Sequence, residues 1–254
     1  MIKRLFLVFL VLLMILMVIP EGVRAQEFEF PDINFEISSS GEAEEADDLV
    51  MSLRILLLLT VLALAPSILI LVTSFTRIII VFSIIKRALG LQNMPPNQVL
   101  IGLAIFLTVF IMSPVWQEIN ENALQPYMEE EISTEQAYEN SVQPLREFML
   151  AQTDDKSMSL FVNLSDMEQP ETEDDLPTHI LIPSFVMHEL KLAFQIGFII
   201  YIPFLMIDMI VASILMSMGM LMLPPVIISL PFKVLMFVLV DGWYLLIESL
   251  ISTF

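Results

Sequence analysis

The sequence predicts an all-α, membrane-associated protein, and three observations carry that expectation. Of the 254 residues, 57% are hydrophobic, and the mean hydropathy is positive. The apolar runs have the length of membrane segments rather than of core strands. The charge, a net −19, is segregated: 26 of the 30 acidic residues fall within residues 21–48 and 118–175. Those acidic blocks repel nucleic acid and anionic lipid, so neither is expected as their partner. The chain has no cysteine, which excludes disulfides and thiolate metal sites.

Residues 1–25 read as a secretory signal peptide. Lys3 and Arg4 open it, residues 5–19 form an apolar core, and Val23, Arg24 and Ala25 offer a small-residue cleavage site before Gln26. Its fifteen apolar residues would give about 22 Å of helix against a hydrocarbon core of roughly 30 Å; an uncleaved anchor is the alternative. Residues 26–50 follow as an acidic, flexible leader with Ser38, Ser39, Ser40 and Gly41 near its centre.

Residues 51–115 read as a first apolar helical hairpin. The run 53–82 is nearly continuously apolar, and as one helix it would reach about 45 Å, which calls for a tilt, a kink near Pro66 or burial inside an assembly. Lys86 and Arg87 place the following connector on the cytoplasmic side. Pro95 and Pro96 suit the first turn of a helix over 97–113, with Trp116 at the far interface. Residues 116–178 are polar and acidic and form an extracytoplasmic domain, with pieces of amphipathic helix at 145–150 and 158–162. Residues 179–254 return to apolar character, interrupted by Pro203, Pro224, Pro225 and Pro231. Three or four helices fit there.

Six of the 18 methionines lie between Met206 and Met222. Met216, Met218, Met220 and Met222 recur at every second position, whereas one helical face requires steps of three or four. With Gly219 inside and Pro224 and Pro225 after it, this is a helix end running into an irregular loop. Irregular backbone at membrane depth survives only in protein or along a cavity. Met218, Met220 and Met222 therefore read as pore-lining, while Met206 and Met209, at helical spacing, read as ordinary lipid-facing or core filling.

Charges inside the apolar regions are costly and need a partner or water. Arg77 reads as a snorkelling residue near the cytoplasmic edge. Asp208 reads as an interface residue near a short turn, or else as a proton-relay acid. Glu189 and Lys233 are expected to pair, across subunits. His188, beside Glu189, is a membrane-edge histidine or a pH-sensitive contact. Enzymatic readings find no support: the seven glycines form no phosphate-cradling loop, and His179 and His188 lack a zinc ligand set. No catalytic residue, metal or cofactor is expected.

Several motifs carry a resemblance. They are SFVMHELKLAFQIGF at 184–198, IPFLMID at 202–208, VASILMSMGM at 211–220, LPPVIISLPFK at 223–233 and VLVDGW at 238–243, with TSFTRIIIVF at 73–82 and QNMPPNQ at 92–98 upstream. Together they closely resemble the FliP family of the flagellar type III export gate, over most of residues 53–243. The resemblance implies helical hairpins, much of them lifted above the bilayer, assembling as a homo-oligomer with FliQ and FliR into a ring-like or helical channel. FlhA and FlhB join that complex, and unfolded flagellar proteins pass through it, driven by the proton motive force and aided by a separate ATPase. It also implies a gasket here formed by Met218, Gly219, Met220, Leu221 and Met222, with Leu221 interrupting the family's usual run of three methionines. Phe148 and Phe161 become candidate anchors for neighbours from the outer domain, with packing inside that domain as the alternative.

The resemblance places the chain in the inner membrane, in the flagellar basal body. Two other readings remain beside it. The equivalent subunit of a virulence injectisome is one, though such relatives generally lack this N-terminus. A small-solute or proton transporter, suggested by Asp208 and the broken helices, is the other.

Overall fold

A computed structural model describes residues 42–91, 94–165, 175–220 and 222–254, with side chains from residue 51 onward. The expected signal peptide, its cleavage point at Ala25 and Gln26, and most of the acidic leader lie outside the described residues, as do Gln92, Asn93 and Leu221. The chain divides into two units, Met1–Leu59 and Thr60–Phe254. Among the described residues the fold is all-helical.

Helix α1, Glu42–Leu71, carries the division between the units. In the first unit it shows exposed Met51, Leu53, Leu56, Leu57, Leu58 and Leu59. It continues as helix through Pro66, the position at which the sequence offered a kink as one alternative, and does not end there. The break comes instead at Val72, Thr73 and Ser74. There the Thr73 hydroxyl donates to the Leu69 carbonyl at 2.7 Å and the Thr76 hydroxyl to the Ile70 carbonyl at 3.0 Å. Side-chain hydroxyls that take over backbone acceptors offer the chain a way out of the helix.

Helix α2, Phe75–Ala88, is the centre of the second unit. Ile78, Val81, Phe82, Ile85 and Ala88 recur at steps of three and four and are buried, so one stripe faces inward. That stripe meets α3, Asn97–Ile111, and α8, Thr178–Ser217. Gly197 makes the α8 approach possible, because a Cβ there would lie 2.3 Å from the Ile84 Cδ1 atom. Helices α9, Pro225–Leu239, and α10, Gly242–Ile251, complete this core through Phe237, Leu246 and Leu250.

A second core belongs to the acidic segment. After α4, Ser113–Ile119, a π-helical turn over Asn120–Leu124 and α5, Gln125–Met128, the chain forms α6, Thr134–Ala151, and α7, Asp155–Leu164. Ser133 and Gln136 cap α6 reciprocally. Met149, Met158 and Val162 pack with Leu181 and Phe185 from the start of α8. The amphipathic pieces read from the sequence are thus the inner faces of α6 and α7.

Prolines that the sequence presents as punctuation, Pro183 and Pro203, sit inside the 40-residue α8, as membrane-type helices tolerate. Among the described residues two helical spans, Met51–Leu71 and Thr178–Ser217, are long and apolar enough to cross a membrane. The count rises to four if each bent pair is one span: α3 with α4 and α5, bent by 55°, and α9 with α10, bent by 63°. Phe194, Phe198, Ile199, Met206 and Met209 stand exposed along α8. Met206 and Met209 therefore face outward rather than filling the core.

Candidate functional site

Arg77, on the first turn of α2, is wholly buried, and so is Glu189 of α8. Its Nε donates to Glu189 Oε2 at 2.9 Å, and Nη2 closes the fork on Oε1. Nη1 donates to the Thr253 carbonyl at 2.9 Å and to the Thr253 hydroxyl at 3.0 Å, while Nη2 also reaches Gln152 Oε1 at 3.0 Å. These bonds use all the donors a guanidinium possesses. The Phe254 ring lies 3.8 Å from Cζ, stacking the cation on an aromatic face. Arg77 is therefore no snorkelling residue at an edge. It ties together α2, α8, the end of α6 and the residues after α10.

The expected partnership of Glu189 with Lys233 is corrected, since each charge has another partner within the chain. Lys233, on α9, donates to Asp208 Oδ2 at 2.6 Å and to the Ala88 carbonyl at 3.1 Å. The second bond satisfies a carbonyl that the last turn of α2 leaves without a helical donor. Ser229, one turn before Lys233, donates its hydroxyl to Asp208 Oδ1. Asp208 lies within α8, away from any turn, and links it to α9. Glu189 and Asp208 are 19 residues apart on this helix, about 28 Å along the axis, so one lysine cannot serve both.

A third charged group lies at the start of α7. Asp154 caps that helix by accepting from the Ser157 amide at 3.0 Å, and Lys191 binds its other oxygen at 2.6 Å. The Lys191 ammonium, then the Ser157 contacts, hold the Asp154 carboxyl well below the usual carboxylate range. His188 Nδ1 lies 3.1 Å from the same carboxylate, so the histidine faces Asp154 rather than its sequence neighbour. Nearby, Phe148 stacks on Phe254 and meets Phe185 edge-on at a ring separation of 6.0 Å. Phe161 packs on the same core. Both rings are half-buried by their own chain.

The methionine tract leaves α8 through a defined turn. Gly219, at φ +78°, donates its amide to the Met216 carbonyl, and Met220 donates to the Leu215 carbonyl, each at 3.0 Å. This paired closure needs a left-handed residue, which is why glycine stands there. Beyond it Pro224 precedes the first turn of α9. Met218 is 66% exposed and Met222 97% exposed. Met220 is half-buried. The turn thus presents flexible thioethers outward at the end of a long apolar helix.

No cluster of metal-ligating side chains occurs among the described residues. Sequence reasoning missed Gln152, Thr253 and Ser229. The positions of Ser229 and Lys233, four apart on one helix face, were the available signal for the Asp208 site.

Comparison with known proteins agrees with the motifs. The FliP family profile matches residues 58–250. The flagellar biosynthetic protein FliP of Bacillus subtilis (strain 168) is 56% identical over 218 residues, which cover 86% of this chain and 97% of the relative. The protein of the same name from Treponema pallidum (strain Nichols) is 50% identical over 88% of this chain and 82% of its own length. That from Pectobacterium carotovorum subsp. carotovorum is 50% identical over 80% and 79%, respectively. With matches of this extent, the chain belongs to the FliP family of flagellar biosynthetic proteins.

Proposed function

We propose that this chain is a pore-forming subunit of the flagellar type III protein export gate. It assembles with copies of itself and with FliQ and FliR, beside FlhA and FlhB, in the bacterial inner membrane of the basal body. Unfolded flagellar proteins cross the membrane through the shared channel. Residues 116–178 face the extracytoplasmic side.

The carrying observation is the exposed methionine turn, with Met222 97% accessible at the end of α8. Unbranched thioether side chains adapt their shape to irregular surfaces. Copies of this turn, arranged around a ring, close the channel and yield to a passing polypeptide. The apolar faces of α3, α8 and α9 support assembly, because surfaces of that kind are covered by lipid or by neighbouring subunits. Leu221 keeps the volume and apolarity of a methionine in the seal.

Replacing Met220, Leu221 and Met222 with glycine in the assembled complex tests the reading. The expected result is a membrane leaky to ions and small solutes, measured as conductance across a bilayer. An unchanged conductance, with the complex intact, overturns the seal.

A further inference from the structure

A cavity of about 600 Å³ lies where the end of α2 meets the start of α3. Ser83, Lys86, Arg87 and Asn97 supply its polar wall, and Ile79 and Ile101 lie on its apolar side. The chain has 30 acidic residues against 11 basic ones, and several of its cations are already paired. Arg77, Lys191 and Lys233 each hold a carboxylate. Lys86 holds only the Asn97 amide oxygen, at 2.7 Å. Arg87 is exposed and has no ion pair among the described residues. Two adjacent positive charges thus border an open cavity, with no carboxylate paired to either among the described residues.

An apolar track leads away from this cavity. Ile101, Ile105 and Val109 follow one another at steps of four on α3, and all are exposed. They share one helix face and extend over about 12 Å. Cationic cavity and apolar track together match a ligand with an anionic head and a hydrocarbon tail. A phosphate monoanion satisfies both cations, whereas a zwitterionic headgroup brings its own ammonium into a site that already holds two positive charges.

We propose that this cavity binds the headgroup of an anionic phospholipid, its phosphate on Lys86 and Arg87 and one acyl chain along Ile101, Ile105 and Val109. The site requires no catalytic or transport step.

The test is native mass spectrometry of the full chain, in whatever assembly it forms, released from vesicles of phosphatidylglycerol and phosphatidylcholine in equal amounts. The wild type is expected to retain phosphatidylglycerol selectively. The double substitution Lys86→Gln and Arg87→Gln should weaken that retention by about thirtyfold, from the attraction each basic residue contributes near an anionic headgroup. Lys86→Arg should preserve it. Equal retention of both lipids by the wild type overturns the proposal without recourse to any variant. So does a photo-crosslinker at Ile101 that captures a polypeptide, a second copy included, in place of lipid.

Discussion

Glu189 and the methionine turn share one helix, α8, and treat their surroundings in opposite ways. Glu189 is wholly buried and fork-paired with Arg77, whose remaining donors end on Gln152 and Thr253. Met218 and Met222, beyond the other end of the helix, are exposed and touch little of their own chain. Near Glu189 a single atom out of place leaves a buried charge without a partner. Near Met222 almost any apolar side chain would leave the fold unchanged. Charge fixes the frame of this molecule, and the methionine turn is attached to the frame as an exposed appendage.

The largest expected effect comes from breaking the frame. Glu189→Gln should lower stability by about 3–5 kcal/mol, since it leaves the Arg77 cation buried with an incomplete set of acceptors. Unfolding of the detergent-solubilised protein, followed by circular dichroism, measures it. If the cost is below about 1 kcal/mol, the pair does not define the frame.

Gly197→Ala comes next. The added Cβ would collide with Ile84, and overpacking of this kind costs about 1–3 kcal/mol. Because the closest atom is the terminal Cδ1 of Ile84, the second substitution Ile84→Val should restore part of the loss. Strictly additive effects in that double-mutant cycle would show that the two residues do not meet.

Asp154→Ala should cost about 1 kcal/mol through the lost cap of α7. Its pH dependence has a defined sign. The folded-state pKa of Asp154 is depressed, so its contribution is present above the ordinary carboxylate value near 4 and is lost as pH falls below it. Acid titration of wild type and variant should therefore converge at low pH. The carboxylate is partly solvated, at 32% side-chain exposure, so screening keeps this difference small.

Met222→Ser should change stability least, by about 0.5 kcal/mol or less, because the side chain is almost fully exposed. A large destabilisation would mean that the turn belongs to the frame after all.

Much of this contrast was legible in the sequence. Alternate methionines around Gly219, followed by two prolines, placed the end of α8 and its turn correctly, because local backbone chemistry determines both. The family motifs were equally visible. The partners of the charges were not. Two cations, Arg77 and Lys233, and two acids, Glu189 and Asp208, lie in apolar sequence and can be matched in two ways. Only the unbroken passage of α8 through Pro203 separates the acids far enough to fix one matching. The end of α1 was equally hidden: the helix continues through Pro66 and breaks a few residues later, at Val72, Thr73 and Ser74, where the Thr73 and Thr76 hydroxyls bond backbone carbonyls.

Arg77 and Glu189 are 112 residues apart in the chain. At ribosomal speeds of about 5–20 residues per second, Arg77 is made roughly 6–20 s before its counter-ion. Through that interval the apolar segment around it carries an uncompensated positive charge. A cation is costly at the centre of a bilayer and much cheaper at its surface. Burial of Arg77 in the folded core must therefore wait for α8, which supplies the carboxylate that the guanidinium needs.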